Sequence, residues 1–226
     1  MRTSLFTASI LALAATVSSC GGNSGEAIEA TDAVEVEDVA ASATYTVENG
    51  STLHWEGFKT YASGKHDGLI SITEGQLMTE GSEIVGGMFT IDMNSIALND
   101  MQPENEYYGK LVGHLKSDDF FNAEMFPTSK FEISSVEASA DEMGNTHLVS
   151  GNLTIRDISK NITFPAKVMM HDDMVHLSAP SFTIDRTQWN VMYDSENTLG
   201  ELTDGVKEKL IDHNIKLDFD LKATKG

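Results

Sequence analysis

Two groupings of residues in this chain have the types and spacing to do chemistry. His171 and His176 flank Asp172-Asp173, a turn signal that would bring the two imidazoles onto neighbouring strands as metal ligands. No third ligand is fixed by spacing and the usual zinc motifs are missing, so two solvated hairpin residues fit the pattern better and no metal site is assigned. His114 beside Asp118 and Asp119 has the composition of an acid–base group. The same stretch also reads as a structural turn, in which Ser117 or an aspartate caps a short helix. The chain has no Gly-x-Ser-x-Gly elbow and no phosphate-binding Gly-Lys-Ser/Thr loop, and the stretch from Asp92 to Asp100 lacks the glycine and terminal glutamate of a calcium loop. No catalytic residue and no cofactor are therefore assigned. A metal-assisted hydrolase with its residues dispersed over loops is the minority alternative.

The elements that would position such residues are mostly strands. Phe89, Ile91 and Met93 alternate with Thr90, Asp92 and Asn94; Phe131 and Ile133 alternate with Lys130, Glu132 and Ser134. Near the C-terminus Ile215, Leu217, Phe219 and Leu221 alternate with Lys216, Asp218, Asp220 and Lys222. A period of two is the mark of a strand with one buried face. Similar stretches near 52–61, 65–74, 146–156, 161–170 and 174–185 bring the expectation to about eight strands, separated by turn signals such as Asp141 to Asn145. One-sided strands in that number close into an antiparallel barrel or pack as a two-sheet sandwich, and the length of several of them favours the barrel. Two helical insertions are expected, both short and placed to close or flank the barrel. Tyr107, Leu111 and Leu115 make a stripe within Glu104 to Lys116, and Leu202, Val206 and Leu210 make a second.

The apolar strand faces are the strongest binding candidates. Trp55, Leu69, Phe89, Ile91, Phe131, Ile133, Leu153, Ile155, Ile162, Phe164, Phe182, Ile184 and Trp189 would line a cavity that encloses a hydrocarbon chain, burial contributing about 25 cal/mol per Å². The alternative is that the same side chains fill the barrel solid. A polar head would sit at the mouth, where Lys59, Lys65, His66 and Arg186 are candidate donors, with Lys59 and Arg186 preferred. Arg186 serves equally well in a structural role beside Asp185.

Composition restricts compartment and partners. Residues 1–19 carry one charge, Arg2, then an apolar stretch from Leu5 to Val17 and the small residues Ser18 and Ser19. That reads as a secretory signal, too short to span a bilayer. Cys20 is the single cysteine, so no intrachain disulfide is available. Its setting, Val17-Ser18-Ser19-Cys20-Gly21-Gly22, resembles a bacterial lipobox, which implies an acylated N-terminal cysteine and a membrane anchor. From Gly21 to Thr44 the chain is acidic and non-aromatic, with Glu26, Glu29, Asp32, Glu35, Glu37 and Asp38 and no basic residue, which predicts a flexible tether over 20–44 ahead of one domain over 45–226. With Arg2 removed, 14 basic residues face 35 acidic ones, a net charge of −21 that opposes nucleic acid and anionic surfaces. The expected location is the cell envelope, periplasm-facing or on the outer membrane surface. A homodimer is left open.

Three phrases, in order, narrow the class. The first is His114-Leu115-Lys116-Ser117-Asp118-Asp119-Phe120-Phe121, followed by Met125-Phe126-Pro127 and Lys130-Phe131-Glu132-Ile133. The second is Gly151-Asn152-Leu153-Thr154-Ile155-Arg156, with Asn161-Ile162-Thr163-Phe164 behind it; the third is Phe182-Thr183-Ile184-Asp185-Arg186, followed by Trp189 and Tyr193. Together they resemble the YceI-like family of bacterial lipid- or polyisoprenoid-binding proteins, from about Tyr45 to Leu221. The resemblance implies an all-β, eight-stranded lipocalin-like barrel with an apolar interior holding a long-chain lipid or polyisoprenoid, no catalysis, and a carrier, storage or stress-related role. A surface interaction lipoprotein with a solid barrel is the alternative. Asn190 follows Trp189 where the family often has glycine, which puts the geometry of that turn in question.

Overall fold

Eight of the strand signals close into one ring. The computed structural model describes residues 26–199 and 203–226, which hold twelve strand segments in a single sheet. In chain order these are β1 (Glu26–Ala27), β2 (Thr31–Asp32), β3 (Ala43–Val47), β4 (Thr52–Lys59), β5 (Lys65–Glu80), β6 (Glu83–Asp92), β7 (Ala97–Leu98), β8 (Thr128–Ala138), β9 (His147–Ile155), β10 (Ile158–His171), β11 (Met174–Asp185) and β12 (Ile211–Lys225). Antiparallel pairing runs β4-β5-β6-β8-β9-β10-β11-β12 and returns to β4 where Leu217 faces Trp55 and Phe219 faces Leu53. Closure selects the barrel over the sandwich, because every long strand then has two neighbours and no edge is left to solvent. The strand β3 pairs with β5 and β12 beyond the start of β4, to which it is joined by a turn in which Gly50 takes a φ of 94°.

Alternation along each strand sends one set of side chains inward. Leu77, Val149, Val175, Leu177 and Leu221 are fully buried and pack one end of the barrel solid. Phenylalanines occupy the middle. The ring of Phe131 lies where a Cβ on Gly151 of the neighbouring strand would be, so glycine there is a packing requirement.

The first helix, α1 (Glu106–Lys116), begins two residues later than the apolar stripe suggests. The Asn105 side chain accepts a hydrogen bond from the Tyr107 amide at 2.9 Å and caps it. Ser117 closes it, its hydroxyl donating to the His114 carbonyl at 2.8 Å. The second, α2 (Asp204–Lys207), is a single turn; Leu202 of its expected stripe lies outside the described residues. At the turn after Trp189, Asn190 adopts a left-handed φ of 55° and ψ of 32°, and its amide hydrogen-bonds back to Arg186 and Thr187. Asparagine tolerates this region better than other residues with a Cβ, so the geometry survives without glycine.

The acidic N-terminal segment departs from expectation. Instead of hanging free, residues 26–42 run as a belt over the outside of the barrel. Here β1 pairs in parallel with β11, and β2 pairs with β10. Asn152 of β9 donates to the Val34 carbonyl at 2.7 Å and accepts from the Val34 amide at 3.1 Å. Asp32 pairs with Lys160 at 3.0 Å, Val39 lies against Gly86 of β6, and the Ser42 amide donates to Thr79 of β5 at 2.8 Å. Composition predicts that this segment cannot build a core of its own, and it does not. Backbone hydrogen bonds to an existing sheet order it instead, and these leave no apolar signature.

Candidate functional site

At the end of the barrel opposite the aliphatic plug, the strands enclose an apolar cavity of about 200 Å³. Trp55 and Leu53 from β4, Ile70 from β5, Ile91 from β6, Leu153 and Ile155 from β9, Ile184 from β11 and Leu217 from β12 form its walls. Leu111 and Leu115 of α1, with Phe120 and Phe121 just after it, cover one side. A smaller apolar space of about 50 Å³ lies deeper, lined by Ile72, Phe89, Phe131, Ile162, Phe164, Phe182 and Phe219. Leu53, Ile91, Leu153 and Leu217 line both.

The three phrases converge on this end. Arg156, in the second, donates from Nη1 to the carbonyls of Phe120 in the first (2.8 Å) and Asn190 after the third (2.9 Å). Trp189 donates its indole N–H to the Leu153 carbonyl at 2.9 Å. His114 stands edge-on to Phe120 and Tyr193, at 5.0 and 4.6 Å between centroids, and contacts Asp119 at 3.0 Å. The pattern read from sequence is therefore the scaffold that holds the cavity mouth together.

The expected lining residues divide into four groups. Trp55, Ile91, Leu153, Ile155 and Ile184 line the main cavity; Phe89, Phe131, Phe164 and Phe182 line the deeper space, together with Ile162. Ile133 and Trp189 are buried in the packed core and line neither. Leu69 is on the opposite face. It pairs with His54, which alternates with the inward Leu53 and Trp55, and cross-strand partners share a face. The inward positions of β5 are Ile70 and Ile72, both buried.

The rim carries basic side chains, with Asp212 among them. Lys59, Lys65, His66 and Arg186 all border the main cavity. Lys65 is held by Glu56 at 2.5 Å and His66 by Asp100 at 2.8 Å, while Lys59 donates to the Lys209 carbonyl at 2.7 Å. Arg186, only 2% exposed, donates from Nε to Asp212 O (2.9 Å), from Nη1 to Val191 O (2.6 Å) and from Nη2 to Ile211 O (3.0 Å). Burial pulls its pKa below the ordinary arginine value, and Asp185, Asp212 and Asp194 act in the opposite sense. Its guanidinium stays charged and clasps the turn after β11 to the start of β12. Trp55 contributes an indole N–H that is buried and has no partner among the described residues.

The two hairpin histidines pair with carboxylates away from the cavity. His171 contacts Asp172 at 3.0 Å and His176 contacts Asp220 at 2.7 Å. Among the described residues no group of three or more His, Cys, Asp or Glu is placed to hold a metal ion. His54 bridges Asp218 at 2.9 Å and Asp67 at 3.2 Å; burial opposes its protonation, but the two carboxylates outweigh that and raise its pKa.

A closed antiparallel barrel with an apolar axial cavity and a helical cover has the architecture of the barrels whose interior has room for one small ligand. Residues 42–223 match the YceI-like domain, and the chain belongs to the YceI-like family. Protein YceI of Salmonella arizonae is 32% identical over 84 residues, which is 37% of this chain and 38% of that protein. The crystal structure of BcnA from Burkholderia cenocepacia superposes with a TM-score of 0.54 at 18% identity, covering 77% of this chain and 96% of that one. A polyisoprenoid binding domain from Saccharophagus degradans, implicated in plant cell wall breakdown, gives 0.55 at 14% identity, covering 82% and 100%. At these identities the structural likeness is one of fold.

Proposed function

We propose that this protein is a non-catalytic carrier or storage protein that binds the apolar chain of a lipid or isoprenoid in its barrel, in a one-to-one complex. The observation that carries this reading is the cavity of about 200 Å³ walled by aliphatic and aromatic side chains, larger than the ~150 Å³ apolar cavity known to admit benzene. A polyisoprenoid is the ligand class of the Saccharophagus degradans domain with the same fold. The polar end of the ligand lies at the rim, where Lys59 offers an ammonium. Arg186 borders the same rim, though its hydrogen bonds to three backbone carbonyls favour the structural role.

Cys20, outside the described residues, is the proposed acylation site and membrane anchor, with a cell-envelope location following from that reading. The ligand reading is tested by placing a charge in the cavity wall. Ile155→Asp should strongly reduce lipid co-purification while circular dichroism reports a folded barrel, and Ile155→Val should reduce it little. Equal lipid content in wild type and a folded Ile155→Asp variant would overturn it.

A further inference from the structure

We infer that the outer face of the β10–β11 hairpin is a binding site for a soft monovalent cation, copper(I), with Met169, His171, Met174 and His176 as its ligands. The spacing of the two histidines about Asp172-Asp173 suggests ligands but leaves the set incomplete. Register completes it. Met169 pairs with His176 and His171 with Met174 across the antiparallel ladder, and Asp172, at a left-handed φ of 49° in the two-residue turn, fixes that pairing. Cross-strand partners share a face, as do residues two apart on one strand, so all four side chains leave the hairpin on the same side. It is the side opposite Val175 and Leu177, which are buried in the aliphatic plug. The four Cβ atoms of such a set mark a rectangle of roughly 5 Å by 7 Å, within which two imidazoles and two thioethers can meet one ion at about 2.0–2.3 Å.

The surroundings suit a cation. Nε2 of His176 contacts Asp220 at 2.7 Å, which leaves Nδ1 to face a metal, and Nδ1 of His171 contacts Asp172 at 3.0 Å, which leaves Nε2. A carboxylate on one imidazole nitrogen orients the ring and makes the other nitrogen a better ligand. Asp172, Asp173 and Asp220 outnumber the neighbouring Lys167, two residues from Met169, and Lys222, the β12 partner of His176. The methionines decide which cation. Met169 and Met174 are 42% and 43% exposed, so filling the core does not account for them. Thioether sulfur is a soft ligand that selects copper(I), whereas zinc and the hard divalent cations draw on thiolate, imidazole and carboxylate. Among the described residues His, Cys, Asp and Glu alone make no group of three that could hold a metal ion, so the two sulfurs are what completes this one. The hairpin is at the closed end of the barrel, and the site does not depend on lipid binding.

The test uses the full chain carrying Cys20→Ser, which removes the only thiol. It is titrated anaerobically with copper(I) against a chromophoric copper(I) chelator, and should withdraw one ion per chain. Adding Met169→Leu and Met174→Leu together conserves side-chain volume and should weaken binding by more than about tenfold, since the loss of even an outer-shell partner costs about 10–100-fold. Asp220→Asn, which loosens the hold on His176, should weaken it by about tenfold. Silver(I), which mimics copper(I) without changing oxidation state, then locates the ion. In spectra of isotope-labelled methionine methyl groups, those of Met169 and Met174 should shift and the rest should stay. If circular dichroism shows the double leucine variant to be unfolded, the silver shifts in the parent chain decide alone. No copper withdrawn from the chelator, equal affinity in a folded double leucine variant, or silver shifts confined to other methionines would overturn the site.

Discussion

Arg186 distinguishes a structural clasp from a ligand-binding cation, and a conservative replacement separates the two. In Arg186→Lys the positive charge is kept, but one ammonium cannot reach three carbonyls that the guanidinium spans with Nε, Nη1 and Nη2. A hydrogen bond from a charged donor contributes about 1.5–3 kcal/mol, and losing two of the three predicts a net loss of about 3 kcal/mol, allowing for the cheaper burial of fewer fixed contacts. For a domain of this size that corresponds to a fall in Tm of about 6–12 °C. Thermal and urea unfolding followed by circular dichroism, with matched m-values, would measure it. A rim cation that only holds a ligand head would instead leave the delipidated protein unchanged and weaken lipid uptake alone. A Tm for delipidated Arg186→Lys within about 2 °C of wild type, less than 1 kcal/mol, would refute the clasp.

The remaining predictions concern the outer face and the N-terminus. Because the carboxylates of Asp67 and Asp218 raise the pKa of His54, the stability it adds is full below about pH 6.5 and is lost as the pH rises through the raised value. The Tm difference between wild type and His54→Gln should therefore shrink from pH 6 to pH 8, and a difference that stays level would contradict the bridge. Asn152→Ala removes the amide that holds Val34 at 2.7 and 3.1 Å and should make residues 26–42 the first site of limited proteolysis, with the barrel intact. Unchanged cleavage kinetics would mean that the belt does not depend on this contact. Cys20→Ser should release the protein from the membrane fraction, and continued membrane association would count against acylation at that residue.

Much of the fold is legible because the period-two alternation is clean where a strand is apolar on one face only. Phe89 and Ile91, Phe131 and Ile133, and Leu217 and Leu221 share a face by alternation, and the structure buries that face. The strand β5 is where it fails: Leu69-Ile70-Ser71-Ile72 offers two apolar candidates for adjacent, opposite faces, and only pairing with β4 decides between them. Trp189 carries the signature of a lining aromatic, yet its indole N–H is taken by the Leu153 carbonyl and its ring belongs to the packed core. The cover over the cavity is legible in part. Leu111 and Leu115 form a helical stripe expected to close or flank the barrel, and they do cover the cavity, but nothing local says that Phe120-Phe121 of the first phrase join them there. The belt was illegible for a different reason. Its order comes from backbone pairing and from Asn152, a polar residue on the outer face that is buried by the chain lying across it.

Native mass spectrometry of the protein purified from its own host, with organic extraction of whatever it carries, tests the central claim most directly. The predicted result is a one-to-one complex with a lipid or isoprenoid that is lost on extraction and restored by a probe of the same class. A folded protein that carries no extractable lipid and takes up neither an isoprenoid nor a fatty-acid probe would contradict the account and leave a barrel whose interior serves only its own stability.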